Sequence, residues 1–376
     1  MKILFSINHP SQYHMFKHLA QKLIADGNDV IFFIQARGII EQLVQSDGFN
    51  YRFSTSKKLR IIFKSKYGII LRGIISLLQQ EFRIFSYCLA HKVNYLLGTD
   101  IAIAHVSFVL RKPSFVFTDD DYVFTKPYCK MAYPFARHII APKVANVHIW
   151  KNKKLAYLGT QKSAYLHPKY FQPDESVIDK YNLRGWKYFI IRLVTYSALH
   201  DSLHGASSGI SESVLDRLIP ILEKHGKVII SIEDGNLDKY SNYLLKMNPN
   251  DMHSLIYYAD LFIGDSQSMH VEAGILGTPS IRSNKWVLAK DRVNVIDYLE
   301  KKCHLGISIP PDQEDALISE VQLLLESDSK EKSKLLSKQF FEENTNLTDF
   351  LFWLLSEYPA SYHKYKANTN IIDEFH

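Results

Sequence analysis

Residues 260–282 read DLFIGDSQSMHVEAGILGTPSIR, and this stretch decides how the rest of the chain is read. Leu261 to Gly264 is a short apolar run of the kind that forms a buried strand. Asp265-Ser266-Gln267-Ser268 follows as a loop of small polar residues, and Met269 leads into a short helix carrying Glu272. Gly277-Thr278-Pro279 turns the chain into a further strand, which completes a strand–helix–strand unit. A loop of small residues opening a helix aims backbone N–H groups at one spot. The helix dipole adds partial positive charge there, so phosphate is the natural guest. Glu272, one turn into the helix, is placed to accept hydrogen bonds from ribose hydroxyls. The expected nucleotide-diphosphate seat is therefore Gly264, Asp265, Ser266, Gln267, Ser268, Met269 and Glu272. A plain strand-to-helix connection shares the backbone shape but needs no such cluster of polar residues.

Upstream of this stretch the same alternation repeats. Lys187–Leu193 (KYFIIRL) is an expected strand with Arg192 at its end. Residues 200–211 (HDSLHGASSGIS) form a Gly/Ser-rich loop before a helix over 212–225, and Lys227–Ile232 is the next strand. Arg192, His200, Ser207 and Gly209 are placed to close on a diphosphate, and a surface loop is the plain alternative. His253, on a short helix before Asp260, joins the donor-side candidates.

The N-terminal half is read in the same way. Lys2–Ile7 and Asp29–Ile34 are strands, and His14–Ile24 is an amphipathic helix between them, a βαβ unit with parallel strands. His9, in the loop Asn8-His9-Pro10-Ser11-Gln12, lies at the carboxyl end of the first strand, where open α/β sheets bind ligands. It is equally suited to cap the helix. Ile101–Leu110 reads as a helix and Pro113–Phe117 as a strand that delivers Thr118-Asp119-Asp120-Asp121. Adjacent carboxylates repel, so at least one pKa is expected to rise. Asp119, Asp120 and Asp121 are thus candidates for a general base or for binding sugar hydroxyls. Asp119 and Asp121 also spell the Asp-x-Asp of metal-dependent glycosyltransferases, a pattern that chance produces easily.

Residues 57–92 carry eight Lys or Arg and one acid, Glu81, among large apolar residues. Such a basic amphipathic segment suits an anionic membrane interface, or a helix with a solvated basic face. The whole chain, at 376 residues and net charge +6, is long enough for two α/β domains and does not demand nucleic acid. Three separated cysteines offer no metal spacing or disulfide framework, which suits a reducing cytoplasm. KILFSI is too short for a signal peptide, and no window is apolar enough to span a membrane. The expected location is cytoplasmic, with peripheral contact at the inner face of the membrane through 57–92. Domains are expected over 1–165 and 170–345, with 346–376 a C-terminal helix and a polar, mobile tail after Pro359.

The blocks INHPSQYHMFKHL, FVFTDDD, AYLHPKYFQPD, HDSLHGASSGIS and IGDSQSMHVEAGILGTPSIR resemble a bacterial and archaeal family catalogued as domain of unknown function 354, over about residues 1–345. That family is similar to the GT-B glycosyltransferases and to the non-hydrolysing UDP-N-acetylglucosamine 2-epimerases. The resemblance implies an α/β, GT-B-like fold of two Rossmann-like domains facing across a cleft. It implies that Ser266, Gln267 and Ser268 meet a diphosphate and Glu272 a ribose, and that Asp100 and Asp119 inherit a catalytic role. The chain departs from the epimerases at Gly98-Thr99-Asp100, at Thr118-Asp119-Asp120-Asp121 and at Ser266-Gln267-Ser268, which speaks against epimerisation. The expected activity is transfer of a sugar from a nucleotide-diphosphate donor, UDP-linked, to a surface polysaccharide or lipid-linked acceptor, with no metal or cofactor required. A nucleotide-sugar 2-epimerase or hydrolase, and a non-catalytic nucleotide-sugar-binding protein, are the alternatives.

Overall fold

Every residue of β1 (Lys2–Ile7) after Lys2 is buried. Burial on both faces is what a parallel strand covered by helices requires. In the computed structural model, which describes residues 1–35, 38–55, 66–194, 209–232, 238–288 and 293–376, β1 is central to a seven-stranded sheet. Its companions are β2 (Asp29–Ile34), β3 (Tyr51–Phe53), β4 (Tyr95–Gly98), β5 (Ser114–Phe117), β6 (His138–Pro142) and β7 (Lys154–Tyr157), in the order β3-β2-β1-β4-β5-β6-β7. Every pairing is parallel. The strand order reverses between β1 and β4, so the crevice outside their carboxyl ends is the natural ligand position.

Helix α1 (Pro10–Ala25), followed along the chain by α2 (Gly38–Ser46), α3 (Lys66–His91), α4 (Ile101–Leu110) and α5 (Lys126–Ala132), starts on a reciprocal cap. The His9 side chain accepts from the Ser11 N–H, and the Gln12 side chain accepts from the N–H groups of Asn8 and His9. Proline in the first turn wastes no donor. The helix ends at Asp26, where Gly27 takes the left-handed conformation (φ +79°) that other residues resist. Its apolar face packs Phe16 between Phe5 of β1 (ring centroids 5.0 Å apart) and Phe117 of β5 (4.9 Å, edge-on).

The second sheet holds β8 (Tyr188–Leu193), β9 (Lys227–Ile232), β10 (Leu261–Gly264), β11 (Ser280–Arg282) and β12 (Ile307–Ser308), in the order β12-β11-β10-β8-β9 and again all parallel. Its reversal falls between β8 and β10. Leu215 and Leu218 of the helix Glu212–Glu223 bury against Ile191 and Ile230 of the sheet.

The chain divides into two compact units, Met1–Tyr170 with Asn344–His376, and Phe171–Glu343. The C-terminal run is thus not a separate appendage. Thr348 Oγ1 donates to Ala164 O (2.7 Å), Lys22 of α1 pairs with Asp349, and Asp349 also accepts from the Tyr170 hydroxyl (2.6 Å). The stretch after Pro359, expected to be mobile, forms the helix Ala360–Ala367 and a 3₁₀ turn over Thr369–Glu374. Two side chains account for that difference. Tyr365 is buried and its hydroxyl bridges the N–H (2.7 Å) and C=O (3.1 Å) of Ala156, and Ile372 is buried as well.

The helix Ser329–Glu343 is fastened by a half-buried lysine. Lys330 Nζ donates to Tyr257 O (2.7 Å), Ala259 O (2.7 Å) and Thr278 Oγ1 (2.8 Å). Burial, and next the nearby Lys334, push its pKa from 10.5 to about 7. Between those values the unfolded chain holds a proton that the folded one releases, so this group's contribution rises with pH from about 7 upward and is least favourable below. The stability difference between wild type and Lys330→Met is therefore expected to shift towards wild type across that window in urea titrations. A pH-independent difference would exclude the lysine's titration.

Candidate functional site

The second unit's switch point brings together several of the expected residues. Gly264 and Arg192 are register partners at the ends of β10 and β8, and Asp265 N–H donates to Arg192 O (3.1 Å). A Cβ on Gly264 would lie 2.7 Å from Arg192 O, so only glycine allows that approach. The helix Gln267–Ile275 begins immediately beyond. Ser266 is its N-cap, with Oγ accepting from Met269 N–H (3.4 Å). Gln267 and Ser268 occupy the first two helical positions, whose N–H groups have no partner within the helix. Those two amides lie at the positive end of the dipole, the arrangement an anion seat requires.

Glu272, buried within the same helix, lies with Oε2 at 3.5 Å from Nε2 of His253. Two donor-side candidates on different helices are thus one pair. Asp265 has another task than expected. Its Oδ1 accepts from Val194 N–H (2.7 Å), its carbonyl accepts from Asn284 Nδ2 (2.7 Å), and a Cβ on Gly209 would meet its Oδ2 at 2.6 Å. A carboxylate so engaged ties loops together and would repel a phosphate. His200 and Ser207 lie outside the described residues, as do residues 57–65 of the basic segment.

Behind the anion seat lies a network that the sequence reading missed. Arg282 at the end of β11 is 2% exposed. Its Nη1 donates to Gln267 Oε1 (2.6 Å), its Nε to Ser308 Oγ (2.9 Å), and its Nη2 lies 3.9 Å from Glu300 Oε1. The same Glu300 oxygen meets His270 Nε2 (3.2 Å), whose Nδ1 meets Ser280 Oγ (2.7 Å). Gln267 is therefore held by a buried guanidinium at the first position of the helix. The one available signal was an arginine closing a strand that turns straight into the site.

In the first unit the switch point gathers Ser6, Asn8 and Asp100. Asp100 caps α4 (Ile101–Leu110), accepting from Ile103 N–H (3.0 Å), and also accepts from the Ser6 hydroxyl and the Asn8 side chain. Burial raises its pKa despite those bonds. Asn8 Oδ1 and the hydroxyl of Tyr128, in α5 (Lys126–Ala132), are buried with no hydrogen-bond partner among the described residues. The charges of Asp100 and Asp120 both act on that hydroxyl, after burial itself, to raise its pKa far. Such orphaned buried groups call for a ligand or a water.

The three aspartates after β5 have separate roles. Asp119 accepts from Tyr157 Oη (3.0 Å), Thr160 Oγ1 (3.0 Å) and Gln161 N–H (3.2 Å), a fully used carboxylate. Asp121, 3% exposed, accepts from Asn146 N–H (2.5 Å). Both tie this loop to the β6–β7 side of the sheet and face different partners. Asp120 is exposed, and its side chain has no hydrogen-bond partner among the described residues. The surrounding loop still strips part of its hydration, which with the charges of Asp119 and Asp121 raises its pKa. His9 is an exposed cap whose Nδ1 accepts from the Ser11 N–H (3.3 Å), so a proton taken there would break the cap.

No curated protein matches the chain. Among solved structures, the UDP-GlcNAc 2-epimerase from Methanocaldococcus jannaschii is similar with a TM-score of 0.63 at 14% identity, over 88% of this chain and 94% of that one. The UDP-GlcNAc 2-epimerase from Neisseria meningitidis bound to UDP-GlcNAc has a TM-score of 0.60 at 12% identity, over 90% and 94%. The spinosyn forosaminyltransferase SpnP has a TM-score of 0.60 at 14% identity, over 95% of this chain and 100% of that one. At these identities the likeness establishes the GT-B fold, with two parallel α/β units. The family model described as "Protein of unknown function (DUF354)" matches residues 1–336, and the chain belongs to that family.

Proposed function

We propose that this protein is a glycosyltransferase that moves a sugar from a UDP-linked donor to a hydroxyl of a surface polysaccharide or lipid-linked glycan. The observation that carries the reading is the anion seat of the second unit. Two helix-start amides, Gln267 locked by buried Arg282, and the Glu272–His253 pair one turn on are the parts that a diphosphate and a ribose require. The acceptor side is the carboxyl edge of the first sheet. Asp120 takes the acceptor hydroxyl's proton, the hydroxyl oxygen bonds to the anomeric carbon, and the bond from that carbon to the diphosphate breaks. A raised carboxylate pKa makes Asp120 a stronger base. The Gln267 and Ser268 amides, with Arg192, stabilise the charge growing on the departing diphosphate. The orphaned Asn8 Oδ1 and Tyr128 hydroxyl suit the acceptor's sugar hydroxyls.

Glu272→Ala is expected to weaken UDP binding by about 1–3 kcal/mol, the cost of losing buried hydrogen bonds to ribose. Calorimetric titration of UDP checks it, and an unchanged affinity removes the ribose role. The likeness to two UDP-GlcNAc 2-epimerases favours a second reading, an epimerase or hydrolase of the nucleotide sugar itself. That reading requires isomerised sugar or released UDP with no acceptor present. Binding of UDP-sugar with no turnover under any condition would leave a non-catalytic binding protein.

A further inference from the structure

Helix α3 (Lys66–His91) has two apolar faces. One, with Ile84 and Cys88, is buried against Leu96 of β4 and Val106 of α4. The other carries Leu71, Ile74, Leu78, Phe82 and Leu89 into solvent, with Phe82 71% exposed. Their spacing of three, four and seven residues sets them in one line along the helix. At 1.5 Å per residue that line runs about 27 Å.

The surface continues beyond α3. His105 of α4 meets Glu81 of α3 through Nδ1 (2.5 Å) and Met131 O through Nε2 (2.9 Å). Its ring lies edge-on to Phe135 (4.7 Å), which stacks edge-on to Phe108 (5.4 Å). Phe108, Val109, Met131 and Phe135 are all exposed. Soluble monomers seldom leave an apolar tract of this extent uncovered. No helix among the described residues is long and apolar enough to cross a membrane, so insertion of α3 does not explain it.

Charge identifies the occupant. Glu81, the one acid of α3, is spent on His105. Arg72 and Arg83 of α3, Arg111 and Lys112 after α4, and Lys130 of α5 are basic. A second copy of this chain would bring these like charges together, whereas an anionic lipid surface receives both the apolar stripe and the bases beside it. We propose that this face, centred on Leu78 and Phe82, docks the protein in plane on a membrane rich in anionic lipid. The proposal goes beyond the transferase reading and does not depend on it.

Co-sedimentation of the full-length protein with phosphatidylglycerol-containing vesicles, set against pure phosphatidylcholine vesicles, tests it without any activity assay. Binding to the anionic vesicles that weakens with salt is expected. Leu78→Asp with Phe82→Asp should lower it at least about tenfold, since burying two carboxylates in the interface opposes insertion. Arg72→Gln and Lys130→Gln should each lower it about fivefold. All four positions are partly or fully exposed, and an unchanged circular dichroism melt shows that the variants remain folded. Equal binding to neutral vesicles, no vesicle binding by wild type, or full binding by the Asp variant would overturn the proposal. So would concentration-dependent self-association, seen in sedimentation velocity, that the Asp variant abolishes.

Discussion

Asp120→Asn is expected to lower turnover about 10²–10⁴-fold while leaving UDP affinity nearly unchanged. The neighbouring carboxylates are already engaged within the protein. Asp119 is saturated by Tyr157, Thr160 and Gln161, Asp121 is held by Asn146, and Asp100 is consumed in capping α4. Asp120 alone of the three adjacent aspartates is exposed. Asparagine keeps its size and polarity and removes only the ability to take a proton. The raised pKa adds a second readout, because wild-type kcat should fall on the acid side above the pH where an ordinary aspartate titrates. Asp119→Asn serves as the contrast. It swaps one acceptor for a donor among Tyr157, Thr160 and Gln161, so it should lower the melting temperature, which Asp120→Asn should not. Turnover retained in Asp120→Asn would remove the residue as base. A loss of UDP affinity in the same variant would move it to the donor seat.

Much of the architecture was legible because buried parallel strands write themselves as continuous apolar runs. KILFSI, DVIFFI and KVIISI each became a strand. β3, three residues with only partial burial, and β12, with two, are too short to show a period. β7 alternates buried and half-buried residues at the edge of the sheet, and KLAY carries too little apolar weight to stand out. The return of the C-terminal stretch to the first unit depends on a few contacts, Thr348 with Ala164 and Tyr365 with Ala156, that no local pattern encodes. At the site, a small-residue loop opening a helix was readable from Gly264 to Ser268. What each residue does there was not. Ser266 is spent as a cap and Asp265 on Val194 and Asn284, so the free groups are the backbone amides that a sequence cannot display. The aspartate cluster has the same lesson, since the donors that silence Asp119 come from Tyr157 and Thr160 far along the chain.

Arg282→Met is expected to cost the folded state about 3–5 kcal/mol. The guanidinium is 2% exposed and satisfies Gln267, Ser308 and Glu300 together. Methionine fills comparable space but leaves Glu300, with its side chain 7% exposed, as a buried charge short of its cationic neighbour. Urea unfolding measures the loss. Stability and function then separate in the double variant Arg282→Met with Glu300→Gln. Neutralising the stranded carboxylate should restore much of the stability, because a buried ion pair replaced as a whole costs far less than one that is halved. UDP affinity should stay low in the same variant, since Gln267 has lost the donor that fixes it at the helix start. Recovery of both would make Arg282 a packing residue only. Recovery of stability alone places it as the positioning residue behind the anion seat, one contact removed from the ligand it helps to hold.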